Sequence, residues 1–136
     1  MILKNYIPAI FIILFPYSTS IKDCSKVKTG SFFYYSKATG SKVLIERRDS
    51  IQIETNVNLN KVLRSKVVWK DNCSFDLFVN SLSEAKLDSL DSILAKNPAR
   101  VQILSIEQKF YVSKSKIDID AYNFHLEVTD TMYFAK

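Results

Sequence analysis

Two adjacent arginines and a nearby glutamine form the most promising polar group in this sequence. Arg47 and Arg48 end one predicted strand, and Gln52 lies in the next strand, beyond a short turn. Across a tight hairpin these side chains are neighbours, so they either stabilise the turn or bind an anion on an exposed sheet face. Tyr34 and Tyr35, in an earlier aromatic strand, are the residues that would flank such a binding site.

The other polar residues do not form a metal site or a catalytic set. His125 is the only histidine of the chain, so neither a histidine-rich metal site nor a Cys–His pair is expected. Asp118 and Asp120 share one face of a predicted strand, but a calcium loop needs more carboxylates and a glycine. We therefore expect no metal, no cofactor and no catalytic residue. Whether the protein is an enzyme stays open, with the balance against it.

Residues 1–20 have the pattern of a secretory signal peptide. Lys4 supplies a positive start, residues 7–15 are almost entirely apolar, and Ser18 and Ser20 offer small residues for cleavage. The apolar run is shorter than the ~20 residues of a membrane span. We expect an exported protein, periplasmic or extracellular, with an uncleaved N-terminal membrane anchor as the alternative.

The two cysteines, Cys24 and Cys73, are expected to form a disulfide bond, because pairing is the default in an oxidising compartment. The bond would tie the start of the mature chain to a central hairpin. A catalytic thiol is the competing interpretation. It has little support, since Cys73 lies on an apolar strand face that would raise the pKa of its thiol.

Length and charge limit the classes of function. Residues 21–136 suffice for a single domain with one core. The net charge of the 136-residue chain is +5, and no segment concentrates it, so nucleic acid is not an expected partner. The chain has two glycines, which excludes a glycine-rich phosphate-binding loop.

Alternating hydrophobicity predicts strands through most of the domain. A hairpin turning near Asp71 carries Trp69 before the turn and Phe75 after it, both on the expected buried face. In the strand at residues 51–55 the isoleucines are expected to face the core, with Gln52 and Glu54 facing solvent. A turn is predicted at residues 129–130 and an interruption at residues 114–116.

The two-residue alternation of hydrophobicity gives way to helical spacing at residues 82–96, where apolar residues recur after a capping box. The prediction is a mainly β fold with one helix (α+β). We expect an antiparallel meander of about eight or nine short strands, open or partly closed because glycine is scarce. The analogy to a lipocalin goes no further than this architecture.

Three segments resemble a family of small exported proteins typical of the Bacteroidota. Residues 24–32 match C-x-K-x-K-T-G-x-F, residues 47–54 match R-x-D-x-x-Q-x-E, and residues 69–77 match W-x-x-x-C-x-Y-x-L with Phe75 in place of tyrosine. The resemblance covers about the first half of the mature chain. It implies export, one β-rich domain and a paired Cys24 and Cys73, and it carries no established activity.

The function expected from these observations is non-enzymatic binding of a small apolar ligand or of an envelope protein partner. One alternative is a hydrolase that uses two carboxylates in one cleft. Another is a binder of anionic polymers, which would need Arg47, Arg48 and several lysines on one face. The sequence does not indicate the oligomeric state.

Overall fold

Period-2 alternation in the sequence becomes eight antiparallel strands in chain order. The computed structural model describes residues 23–82, 93 and 95–136. The strands are β1 (Gly30–Tyr35), β2 (Lys42–Arg48), β3 (Ile51–Asn56), β4 (Lys61–Trp69), β5 (Ser74–Leu82), β6 (Ala99–Ile106), β7 (Phe110–Ile119) and β8 (Phe124–Phe134). Each pairs with the next, and β8 returns to β1, so the sheet forms a closed barrel. Two short 3-10 helices are Cys24–Val27 and Asp120–Tyr122.

The barrel closes without the glycines that such curvature was expected to need. Register shifts occur at Arg64/Ser65 in the β4–β5 pair and between Ile103 and Ser105 in the β6–β7 pair. Such bulges bend a sheet without requiring glycine. The seam between β1 and β8 is held by only two residue pairs. The predicted antiparallel, mainly β meander is therefore confirmed, but it is closed where an open or partly closed sheet was expected.

Several local predictions fall outside the described residues or need correction. The signal peptide predicted at residues 1–20 lies outside them, and so does most of the segment predicted to be helical, residues 82–96. Ile93, Ala95 and Lys96 at the end of that segment are helical, whereas Leu82 belongs to β5. β7 and β8 run without the predicted interruption or turn, because each pairs with the other along its whole length. Among the described residues no helix is long and apolar enough to cross a membrane.

One end of the barrel, which we call the base, is closed by the N-terminal 3-10 helix. Cys24 and Val27 of this helix are 1% and 0% exposed. The Cys24–Cys73 disulfide, with an S–S distance of 2.02 Å, joins the helix to the β4–β5 hairpin as predicted. Trp69 and Phe75 of that hairpin pack with ring centroids 4.6 Å apart. Apolar burial and the disulfide together hold the base shut.

The faces of β3 are the reverse of the prediction. Gln52 is 2% exposed in the barrel interior, whereas Ile51 is 36% exposed on the outside. Alternation separates the two faces of a strand but does not say which one is buried. Gln52 finds a partner in Arg47 inside the barrel. Ile51 lies outside, in a groove that it shares with the Arg48 and Arg64 side chains.

A polar cavity in the barrel interior as candidate functional site

The five residues predicted for a binding site are divided between the two faces of the sheet. Arg47 and Gln52 are buried inside the barrel, and Tyr34 lines the interior with them. Tyr35 is 54% exposed, and the Arg48 side chain is 82% exposed. Consecutive residues of a strand point to opposite faces of the sheet. The two residues of each adjacent pair, Tyr34–Tyr35 and Arg47–Arg48, therefore could not contribute to one site. The interior members come together, while Tyr35 and Arg48 face solvent.

Arg47 is fully engaged by protein groups at the base. Its Nε donates to Gln52 Oε1 at 2.8 Å, one terminal nitrogen donates to the Val27 carbonyl oxygen, and the other donates to the Tyr111 hydroxyl at 3.3 Å. The guanidinium lies 5.3 Å from the Phe32 ring centroid and 4.6 Å from that of Phe75. Such contacts stabilise a buried cation electrostatically. Arg47 therefore fastens the N-terminal helix to the barrel.

A chain of hydrogen bonds runs from Arg47 toward the middle of the barrel. Gln52 accepts from Arg47 through its oxygen, so its amide nitrogen is free to donate to Glu54 Oε1 at 2.7 Å. Glu54 also bonds to the Tyr34 hydroxyl. Burial raises the pKa of the Glu54 carboxyl, while its bond to Gln52, the Arg47 charge and its bond to Tyr34 oppose that rise. Burial likewise raises the pKa of Tyr34, and the Glu54 charge adds to the effect.

These hydrogen-bonded side chains form part of the wall of a cavity of about 90 Å³. Two carboxylates, Glu54 from β3 and Asp130 from β8, line it. The two groups are close enough to repel each other, and the Asp130 charge raises the pKa of Glu54. The full lining comprises Tyr34, Ile45, Arg47, Gln52, Glu54, Phe75, Leu77, Val101, Tyr111, Ser113, Ser115, Asp130 and Met132.

Ser113 is the one lining residue with an unsatisfied buried polar atom. It is 1% exposed, and its hydroxyl has no hydrogen-bond partner among the described residues. It lies directly opposite Asp130 in the β7–β8 ladder. A buried hydroxyl without a partner costs about 1–3 kcal/mol, so such groups are normally satisfied by water or a ligand. Ser113 is therefore a position in the cavity wall where a water molecule or a polar ligand would complete the hydrogen bonding.

Glu54, Ser113 and Asp130 were missed as site residues for identifiable reasons. Glu54 was assigned to the outer face of β3, and Asp130 was assigned to a turn. Ser113 is one of many serines, and nothing local to it signals burial. Glu54 belongs to β3, whereas the other two belong to β7 and β8, so only the closure of the barrel brings them together. The available signal was the Q-x-E spacing, which places Glu54 on the same face as Gln52.

Polar groups on the outer surface pair with one another. His125 is exposed, as predicted, and its Nδ1 lies 2.8 Å from Asp118 Oδ1. The hydrogen bond from His125 lowers the pKa of Asp118, and the Lys116 charge adds to this. The described part of the chain contains no group of three or more residues suited to bind a metal. Asp118 is therefore accounted for by its local pairs.

An aromatic cluster covers the outside of the β1–β8 seam. Phe33 stacks on Tyr133 with centroids 5.2 Å apart, and Tyr35 and Phe110 extend the cluster on either side. Lys42 lies 4.3 Å from the Phe33 centroid. Because the seam has few backbone pairs, these rings contribute to holding it closed. The cluster therefore has a structural role at the seam.

Similarity to known proteins does not indicate what the cavity does. Comparisons of the chain with protein-family models, with curated proteins and with solved structures found no significant match. A closed barrel as such supports many unrelated functions. The role of this one must therefore be inferred from the residues that line its interior.

Proposed function

We propose that the protein is a non-enzymatic binding protein that holds a small polar molecule in its barrel. The observation that carries this proposal is the buried Ser113 hydroxyl, which lacks a partner and lines a cavity with two carboxylates. A folded protein gains nothing from an unsatisfied hydroxyl there unless a bound molecule completes its hydrogen bonds. The cavity has room for about three water molecules at ~30 Å³ each, which sets the size of the ligand.

The lining favours a polar ligand over the apolar one expected from the sequence. An apolar ligand would leave the Ser113 hydroxyl unsatisfied and would lie against the carboxyl groups of Glu54 and Asp130. Apolar side chains such as Ile45, Leu77 and Val101 make up the remaining wall. They suit a short hydrocarbon portion of a ligand whose other end is polar.

Export remains part of the proposal. The Cys24–Cys73 disulfide supports it, because such bonds persist mainly in oxidising compartments. A periplasmic or extracellular location would also give the barrel access to small solutes.

The carboxylate-dependent hydrolase is a second candidate, because Glu54 and Asp130 line one cavity and the pKa of Glu54 is raised. Glycosidases need two carboxyl groups on either side of a sugar. The unsatisfied Ser113 hydroxyl is a binding feature that hydrolysis by two carboxylates would not need, so binding is the better supported function. The anionic-polymer alternative loses its basis, since Arg47 is 2% exposed and faces away from Arg48.

The proposal is tested by calorimetric titration with three probes of similar size, namely ethanol, acetate and ethylammonium. At least one should bind the wild-type protein and raise its melting temperature, as any ligand of the folded state does. Ser113→Val fills the cavity and removes the hydroxyl, so binding should be lost.

The matched control is Ser31→Val, which makes the same change at an exposed position of β1 and should leave binding unchanged. The proposal fails if none of the probes binds to the wild-type protein. It also fails if Ser113→Val binds as tightly as Ser31→Val.

A further inference from the structure

The charges facing the cavity favour one class of ligand. Glu54 and Asp130 bring two acidic groups, and Arg47 is the only basic residue in the lining. Acidic groups therefore outnumber basic ones around the empty space. The Ser113 hydroxyl adds another, because its oxygen has two lone pairs and no partner among the described residues.

Arg47 does not offer an anion site. Each of its three nitrogens already donates to a protein oxygen, and its guanidinium lies over the Phe32 and Phe75 rings. An anion in the cavity would meet two carboxylates without a free cationic group to bind. At 4 Å, like charges repel by about 4 kcal/mol at an effective dielectric constant near 20. Anions are thus disfavoured by the same residues that define the cavity.

We infer that the ligand is a small organic cation whose primary ammonium group is held by Glu54, Asp130 and the Ser113 hydroxyl. This inference rests on the proposed function. A primary ammonium has three donors, which match these three acceptors in number. Ile45, Leu77 and Met132 then contact a short aliphatic part. The volume of about 90 Å³ limits that part to a few carbon atoms.

The positions of the three acceptors suit a small, compact head group. Ser113 and Asp130 are cross-strand neighbours in the β7–β8 ladder, so their side chains extend into the barrel side by side. Glu54 comes from β3, in a different part of the barrel wall, and its second partner Gln52 orients it. An ammonium group between β3 and the β7–β8 pair would have acceptors on more than one side. Carboxylates on an exposed sheet surface would approach it from one side.

Selectivity among probes tests this inference separately from the proposed function. Ethylammonium chloride should bind at least about tenfold more tightly than ethanol or sodium acetate, a difference of ~1.4 kcal/mol. Potassium chloride at equal ionic strength should not compete, because a bare monovalent ion makes no use of the apolar wall. If no probe binds, the proposed function itself is wrong. If ethanol, acetate or potassium binds as well as ethylammonium, only the cation inference is wrong.

Removal of one charge gives a second, independent measurement. Asp130→Asn keeps the shape of the side chain and should weaken ethylammonium binding about tenfold or more, since an ionic hydrogen bond is lost. The control is Asp49→Asn at an exposed turn, where φ is 47° and asparagine is well tolerated. That variant should bind within about twofold of wild type. Equal affinity of the two variants, both folded by circular dichroism, would overturn the inference.

Discussion

The base and the cavity of the barrel use similar polar residues in different ways. At the base, Arg47 bonds to Gln52, Val27 and Tyr111, and its guanidinium lies over two aromatic rings. In the cavity, Ser113 lacks a partner. A buried polar network stabilises a fold when all its donors and acceptors are hydrogen-bonded, because each unpaired group costs free energy. The difference indicates a structural role for the base and supports the binding role that we propose for the cavity.

Arg47 gives the largest expected effect and tests the structural role of the base. Arg47→Met should lower the free energy of unfolding by about 3–5 kcal/mol, because it breaks a buried network and leaves buried partners unsatisfied. The matched variant is Arg48→Met on the outer face, where Arg48 forms an exposed ion pair with Glu46 at 3.8 Å. Its effect should stay within about 0.5 kcal/mol.

Urea denaturation of the two arginine variants measures this difference directly. Methionine replaces the apolar stem of arginine and removes the guanidinium in both variants, so the comparison between them isolates the environment of that group. Similar losses in both variants would contradict the assignment of Arg47 to a structural network at the base.

Removal of one hydroxyl group at the base and one in the cavity compares the two regions through smaller changes in stability. Tyr111→Phe removes an acceptor of Arg47 at the base and should cost about 1–2 kcal/mol, since the guanidinium loses a partner. Ser113→Ala removes a hydroxyl that has no partner among the described residues, so the ligand-free protein should be unchanged or slightly more stable. Thermal unfolding in the absence of added ligand measures both. Equal destabilisation by the two changes would mean that Ser113 is structural as well.

The strands were predictable because each depends on local alternation. The β2–β3 hairpin around Asp49, with Arg47 opposite Gln52, follows from the sequence and is found in the structure. The Cys24–Cys73 bond followed from the compartment expected for the chain and is also found. These features need only neighbouring residues or general chemistry.

The interior of the barrel was not predictable in the same way. Hydrophobicity assigned Ile51 to the core and Gln52 to solvent, but closure places Gln52 beside the buried Arg47. The strength of a polar network depends on partners from distant strands, which alternation in one strand cannot reveal. Ser113 and Asp130 are examples, since their significance comes only from sharing a cavity with Glu54.

The pH dependence of stability gives the smallest expected effect, because the partners of Glu54 offset part of its desolvation. The folded-state pKa of Glu54 is raised above its ordinary value of 4.5. As pH rises from that value, the unfolded chain releases the Glu54 proton while the folded protein retains it. The free energy of unfolding should therefore fall between pH 4.5 and the raised folded pKa, and it should change no further above it.

Glu54→Gln tests this dependence because glutamine cannot ionise. The groups facing Glu54 are Arg47, Tyr34 and Asp130, and all three remain in the variant. The difference in unfolding free energy between wild type and variant, measured by urea denaturation at several pH values, should change in that window in favour of the variant. The exposed Glu46→Gln should follow the wild-type curve there. A wild-type curve that runs parallel to that of Glu54→Gln would show that the Glu54 carboxyl is solvated like a surface group, and Glu54 would then not act as a buried acidic group of the cavity.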